Sequence, residues 1–425
     1  MFKELRNIEK RDDGIYILNK LGHVAMITLD LEEKLYKYAE LEELPDDAPE
    51  FIYDLANIGL LEYTNYVPNE DKLYFDDAIL KSMDDKPVYG GPVIAHLAIT
   101  HACNMNCKYC SVKDMHSRIK NGLPTEDYKK MIDKLVDIGA FQIGLTGGEP
   151  TTRPDLVEIA RYVASKNVAC NLTTNGYNVP EKLIIDLKEA GLTQVQISLD
   201  SYKKEVHEKY RTEGSFDRAI ETAKLFKKHG FIVGVDTVVT NDNLNDLEAF
   251  MDFLEDNDFD GLTIIKLKQG HLDLETFKKQ VPDYDKYAEV IDKVCRRNGK
   301  LEVTIDCSSV SNLCKTLTLE EQNKIHSAGC PAGHSLISIA PNGDMFPCAA
   351  LTNDNYKIGN LLTDDLEKVW NESELLKGLR GVKNKIEGKC KTCPKLDVCR
   401  GGCRGIADSL SGKKFYSDAN CKINL

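Results

Sequence analysis

From Pro92 onward the chain alternates short apolar runs with longer amphipathic stretches. The runs are Val93 to Thr100, Phe141 to Leu145, Val168 to Thr173, Gln194 to Leu199, Phe231 to Val239 and Leu262 to Leu267. Each has the length and composition of a strand buried on both faces. Between them apolar positions recur at helical spacing, and the helix ends are marked. Thr125 stands as the N-cap of a helix to Asp137 with Gly139 just beyond, Pro154 opens the next, and Ser215 caps one that stops near Gly230. Six β/α units of about 30 residues predict an α/β fold, a parallel sheet with helices outside, curled as a partial (β/α)6 TIM-like barrel. Ligands bind such sheets at the carboxyl ends of the strands.

The flanking segments have other rhythms. Gly14 to Leu18 and Val24 to Leu29 are β-rich runs joined by Asn19 to His23, a hairpin pattern. Asp30 then precedes one helical pattern (Leu31, Leu35, Tyr38, Leu41), and Phe51, Leu55, Ile58 and Leu61 mark a second. Residues 1–66 thus read as a small α+β module, and the polar stretch 67–91, ending in Gly90-Gly91-Pro92, as a linker. After the barrel (92–270), a bridging region (271–320) carries a helix from Asp285 to Arg297 and a strand from Leu301 to Ile305. The last segment (321–425) holds a run from Ser335 to Ala340 and the hairpin turn Pro341-Asn342-Gly343.

Composition narrows the setting. No apolar run approaches the ~20 residues of a membrane span, and Met1 to Arg6 lack the apolar core of a secretory signal, so a cytoplasmic protein is expected. The net charge is −13. Residues 1–85 hold 9 Lys/Arg against 21 Asp/Glu, nearly all of that excess. An acidic front disfavours nucleic acid and anionic membrane as partners, which also argues against a DNA-binding winged helix. It suits a basic peptide, or is simply a solvated face.

The cysteines carry the chemistry. Of 14, ten fall in two sets, while Cys170, Cys295, Cys307 and Cys314 are scattered. Cys170, inside an apolar run, reads as a small buried hydrophobe. Clustered cysteines in a large chain without an export signal point to metal rather than disulfides. The first set, Cys103-x3-Cys107-x2-Cys110, follows the first strand directly. Three thiolates on a four-iron cluster leave one iron without a protein ligand, so the loop suits a cluster that binds something exogenous. A zinc knuckle is the alternative reading of such spacing.

With Tyr109 before the last Cys, this loop resembles that of the radical S-adenosylmethionine (SAM) superfamily. Strand two runs into Thr146-Gly147-Gly148-Glu149-Pro150, which looks like the family's GGEP motif. There Gly147 and Gly148 allow close backbone approach, and Glu149 would accept from the amino group of SAM. The resemblance extends to Thr173 and Asn175 after strand three and to Ser198 and Asp200 after strand four, groups suited to ribose and carboxylate. Arg211 is read either as the partner of the SAM carboxylate or as a surface residue.

The second set is Cys330, Cys348, Cys390, Cys393, Cys399, Cys403 and Cys421, with Gly343 leading to Cys348 by a G-x4-C step. It resembles the seven-cysteine SPASM domain; zinc ribbons are the alternative, but seven ligands do not divide into tetrahedral sites. The resemblance implies three 4Fe-4S clusters, one binding SAM and two auxiliary. Cys390, Cys393, Cys399 and Cys421 would hold the distal auxiliary cluster, and Cys330, Cys348 and Cys403 the proximal one. Residues 320–329 contain no further Cys, so either Cys314 completes the proximal cluster or it keeps an open iron.

The front module resembles the winged-helix-like leader-recognition domain of ribosomal-peptide (RiPP) maturases, which binds peptide along a strand edge. Together these resemblances imply an enzyme that uses a 5'-deoxyadenosyl radical to crosslink a precursor peptide held by its leader. A Cys thioether is the first expected product, and a flavodoxin- or ferredoxin-type protein the reductant. A carbon-carbon crosslink, a decarboxylation, a small-molecule enzyme of the haem-biosynthesis type and a non-catalytic electron carrier are the alternatives. Ala349 stands where sulfatase-maturing relatives place an Asp, which argues against that activity.

Overall fold

The computed structural model describes residues 7–11, 14–18, 24–27, 32–39, 41–57, 61, 63–65, 90–112, 122–166, 168–270, 272–317 and 329–423. The hairpin loop at residues 19–23 and the linker up to residue 89 lie outside them, as do Leu31, Ile58 and most of 320–329.

The front module has one strand more than its sequence pattern predicts. β1 (Asn7–Arg11), β2 (Gly14–Leu18) and β3 (Val24–Ile27) form an antiparallel sheet in the order β1-β2-β3, followed by helices Glu32–Ala39 and Glu50–Asn57. The polar sequence of β1, Asn-Ile-Glu-Lys-Arg, has no apolar alternation, which is why periodicity missed it. The helices bury Leu35, Tyr38, Ala39, Ile52 and Leu55 in a small core of their own.

The barrel strands fall within two residues of the predicted runs: β4 (Ile94–Thr100), β5 (Gln142–Gly147), β6 (Ala169–Thr174), β7 (Gln194–Ser198), β8 (Ile232–Val239) and β9 (Gly261–Lys266). They pair in sequence order, all parallel. The helices cover the sheet with apolar stripes. Thr125–Asp137, for example, buries Tyr128, Met131, Ile132 and Leu135, spaced by three and four residues.

Two predicted caps are not caps. The helix begins at Thr125 itself after Pro124, so the Thr125 hydroxyl is free to donate to Asp155 Oδ2 at 2.6 Å. Likewise Ser215 is the first helical residue after Gly214 and bonds the His207 ring at 3.0 Å.

The sheet continues past the barrel on both sides. β10 (Glu302–Ile305), in the bridging region, pairs parallel to β9. On the opposite edge β11 (Leu336–Ile339) pairs parallel to β4, and β12 (Asp344–Phe346) and β13 (Gly359–Asn360) follow antiparallel. The result is one ten-stranded sheet, β10-β9-β8-β7-β6-β5-β4-β11-β12-β13, so the tail is built onto the barrel's first strand. No helix among the described residues is long and apolar enough to cross a membrane.

Candidate active site and thiol clusters

The carboxyl ends of β4 to β9 open into a cavity of about 320 Å³. Cys103, Cys107 and Cys110 line it on the loop after β4. The loop is short because it is tied at several points: Asn106 N donates to Thr212 Oγ1 (3.3 Å), Lys108 N to Tyr210 O (2.8 Å), and Met105 N to Cys103 Sγ (3.4 Å). Burial pushes the Cys103 thiol up to about 11 and raises that of Cys107, against which the Arg211 charge works. Without metal these thiols hold their protons, and iron must displace them on binding.

The turn after β5 is locked to this loop by close backbone approach. Gly147 has φ +149°, and a Cβ there would lie 2.1 Å from Thr100 O; one on Gly148 would lie 2.3 Å from Ala102 O. Two short hydrogen bonds follow from that approach, Gly148 N to Thr100 O (2.7 Å) and Glu149 N to Ala102 O (2.8 Å). Glu149 is thereby carried to the cavity floor, 1 % exposed. Its Oε1 accepts from Thr151 N, Thr151 Oγ1 and Thr174 Oγ1, and among the described residues its Oε2 accepts only from Asn175 N at 2.8 Å. Burial raises its pKa while these donors lower it, and the lone pairs left on Oε2 suit one more donor such as an ammonium.

Thr173, Asn175 and Ser198 line the same cavity from the ends of β6 and β7. Asn175 Nδ2 donates to Asn104 Oδ1 at 2.8 Å and stands 3.9 Å from Cys103 Sγ. Asp200 sits behind the lining as a hub. Its carboxylate accepts from Arg211 Nε (2.6 Å) and Nη2 (3.0 Å), from Val238 N (3.0 Å) and from the Tyr109 hydroxyl. Arg211 is therefore neither a surface residue nor available as a whole fork: its side chain is 8 % exposed and its two-point contact is spent on Asp200. What lines the cavity is the rest of a guanidinium already neutralised by that carboxylate. Tyr109 earns its place before Cys110 by donating to Asp200, which ties the cysteine loop to β7.

The tail gathers its seven thiols into two groups, with all but Cys348 and Cys393 buried. Cys330, Cys348 and Cys403 act on one another electrostatically, as do Cys390, Cys393, Cys399 and Cys421. All are free thiols. The two extra cysteines join them, in an arrangement that spacing did not reveal. Cys307 hydrogen-bonds Cys330 and feels Cys403, so it belongs with the proximal three. Cys314 hydrogen-bonds Cys399 and feels Cys393 and Cys421, so it sits beside the distal four. The reason is local: Cys307 opens the 3-10 turn two residues past the end of β10, whereas Cys314 lies seven residues further on, in the helix Val310–Thr316 that follows. The sequence signal was available, since a Cys just past a predicted strand lies at the ligand-bearing end of the sheet. Of the other two scattered cysteines, Cys170 is buried in the barrel core as expected and Cys295 packs against that core.

Among the described residues no three His, Cys, Asp or Glu converge on one point as a single ion requires. The donor sets themselves, three thiols in one loop and seven in the tail, suit thiolates spread around polynuclear clusters. A second observation fits anionic clusters. The fully buried Lys266 has no carboxylate within ion-pair distance among the described residues, and the thiols of both tail groups lie around it.

Comparison with known proteins agrees with this geometry. Residues 97–254 match the model of the radical SAM superfamily, and residues 330–394 match that of the SPASM iron-sulfur cluster-binding domain. The mycofactocin maturase MftC of Mycolicibacterium smegmatis is 29 % identical over 73 % of this chain and 78 % of its own. The AdoMet-dependent heme synthase of Methanosarcina barkeri is 25 % identical over 76 % of this chain and 94 % of its own. In fold, Streptococcus suis SuiB bound to its precursor peptide SuiA superposes over 98 % of both chains with a TM-score of 0.71, at 20 % identity.

Proposed function

We propose that this chain, an enzyme of the radical SAM superfamily with a C-terminal SPASM domain, is a peptide maturase that oxidatively crosslinks a ribosomally made precursor peptide. The observation that carries the reading is the double wall of the cavity. One side is the three-cysteine loop with Glu149. The other is the tail segment Ser338, Ile339, Ala340 and Ala349, which leads directly to and from Cys348. A substrate side chain between them would lie against both the three-cysteine loop and the tail segment that bears Cys348, and the small residues of the tail wall leave it room.

When bound, SAM and its cluster supply a carbon radical that takes a hydrogen atom from the substrate. The protein's part is placement. Cys103, Cys107 and Cys110 would hold the SAM cluster, with Glu149 accepting from the SAM amino group and Thr173, Asn175 and Ser198 meeting its ribose and carboxylate. Asp200 would act through Tyr109 and Arg211, holding the loop and one cationic wall in register. Cys390, Cys393, Cys399 and Cys421 would ligate a distal auxiliary 4Fe-4S cluster. Cys330, Cys348 and Cys403 would ligate a proximal one, with Cys307 as the fourth ligand in place of an open iron. Residues 1–66 would bind the peptide leader ahead of the linker (67–91), the barrel (92–270), the bridging region (271–320) and the tail (321–425). A flavodoxin- or ferredoxin-type protein would supply electrons.

The fold likeness to SuiB spans 98 % of this chain and so includes the front module, which supports a peptide over a porphyrin. Names among the relatives, a mycofactocin maturase and a PqqA peptide cyclase, point the same way. A Cys thioether is the product we favour. The test uses the anaerobically reconstituted, reduced protein with SAM and a short Cys-rich peptide encoded beside its gene. Formation of 5'-deoxyadenosine with loss of two hydrogens from the peptide supports crosslinking. Loss of carbon dioxide replaces it with decarboxylation, and a peptide that never changes while a porphyrin does overturns the reading.

A further inference from the structure

Thiolate-ligated clusters place negative charge in the interior, and the end of barrel strand β9 holds a buried cation beside the tail thiols. Lys266, the last residue of β9, is 0 % exposed. Its ammonium donates to Asn312 Oδ1 at 3.1 Å and lies 5.9 and 5.5 Å from the ring centroids of Tyr284 and Tyr287. Among the described residues it makes no ion pair. Its neighbour Lys268 differs in this respect, being neutralised by Asp306 at 3.2 Å.

The residues around Lys266 stand beside members of both thiol groups. Its backbone N–H donates to Ser308 Oγ, one residue from Cys307 of the proximal group. Asn312 is two residues from Cys314 in the distal group, and the Tyr284 hydroxyl meets Cys421 Sγ at 3.8 Å. Burial lowers the lysine's pKa; Asp418, Cys403 and Cys421 push it back up, one thiol from each group. An isolated ammonium is costly to bury; Lys266 has an amide and two rings beside it and the buried Asp418 as the nearest opposing charge, beyond ion-pair distance, so a further negative neighbour would complete its pairing.

We infer that Lys266 is a counter-charge shared by the two auxiliary clusters, set between them so that its ammonium favours the reduced form of each. This rests on the two-cluster reading of the tail. Reducing a cluster by one electron adds one negative charge and leaves its thiolate bonds in place. A fixed cation nearby therefore raises the potential, and net charge is among the factors that set it.

The test is an EPR-monitored redox titration of the full-length, anaerobically reconstituted enzyme and its Lys266→Met variant, with iron and sulfide counted in both. Counts and signals of the parent check the two-cluster reading by themselves: a parent with only the SAM-site cluster fails that reading. With both auxiliary clusters loaded, Lys266→Met should make each about tenfold harder to reduce, a fall of ~59 mV for one electron. Lys266→Arg, which keeps the charge, should stay close to the parent. Full iron with unshifted potentials overturns the inference, and a shift of one cluster alone overturns the shared role. If Lys266→Met loses iron, Lys266→Gln, which can still bond Asn312, is read against the same two outcomes.

Discussion

Replacing Asp200 by Asn tests the hub behind the candidate active site. In the folded chain Oδ1 accepts from Arg211 Nη2 (3.0 Å) and Val238 N (3.0 Å), while Oδ2 accepts from Arg211 Nε (2.6 Å) and the Tyr109 hydroxyl. An amide keeps one acceptor and turns the other into a donor, so one pair of N–H or O–H groups meets an N–H head on. The guanidinium also stays buried, 8 % exposed, without its counter-charge. Breaking one side of a buried pair costs ~3–5 kcal/mol, and that is the loss expected for the apo chain in urea followed by circular dichroism. The pH dependence has a definite sign. Burial raises the Asp200 pKa, but the charge and hydrogen bonds of Arg211 outweigh it, and the folded value lies below the ordinary one. Its contribution is then complete above the unfolded aspartate value near 3.9 and is lost as pH falls through the depressed folded value. The gap between parent and variant should thus be flat from pH 8 to 5 and close only in stronger acid. Adding Arg211→Met to Asp200→Asn should recover part of the loss, because the unpaired cation is removed. A single-variant cost below ~1 kcal/mol, the size of an exposed pair, would refute this reasoning, as would a gap that narrows between pH 8 and 5.

Other outcomes follow from the same geometry. Gly148→Ala puts a Cβ 2.3 Å from Ala102 O; the turn must move by about an ångström, and 5'-deoxyadenosine formation should fall by ~10²-fold, read by chromatography of the quenched reaction. Cys307→Ala should cost the reconstituted protein its proximal auxiliary cluster, whereas Cys314→Ala should keep full iron; the reverse pattern in an iron assay would return Cys314 to the proximal set. Asp236 is raised by burial to about 6, so its ionisation opposes folding as pH rises through that value. Asp236→Asn should match the parent near pH 4 and exceed its stability at pH 8 by up to ~3 kcal/mol in denaturant titrations.

What could be read from the sequence divides along physical lines. The barrel strands were legible because a strand buried on both faces is a continuous apolar run, and the end of each run pointed to the residues that meet in the cavity. Glu149 and the three cysteines needed only their place after β5 and β4. β1 was not legible because a polar strand has no period to find. The two caps failed because Thr125 and Ser215 spend their hydroxyls on tertiary partners, Asp155 and His207, which no local pattern contains. Arg211 was underdetermined for a related reason: its partner, Asp200, is eleven residues away across a strand-to-helix turn. Cys307 and Cys314 are the sharpest case. Seven residues apart in sequence, they go to different thiol groups, and only the turn after β10 decides which.

That turn also explains how one sheet carries thiols of more than one group. The three-cysteine loop follows β4, and Cys307 and Cys348 each stand two residues past the ends of β10 and β12, so the first thiol set and two members of the proximal group are attached to strands of the same sheet. β11 pairs with β4 in register, Ile339 opposite Leu97, which fixes the tail wall of the cavity against the strand that carries the three-cysteine loop. Cys330 is not on a strand but is held to Cys307, and hence to β10, at the opposite edge. The proximal group therefore spans the two margins of the sheet, β10 on one side and β11-β12 on the other, across the open part of the partial barrel. In the folded chain the two margins already meet at Cys307 and Cys330, and the segment that leads to Cys348 also walls the cavity, so replacing the edge residue Cys307 should be felt at the cavity as well as in the iron count.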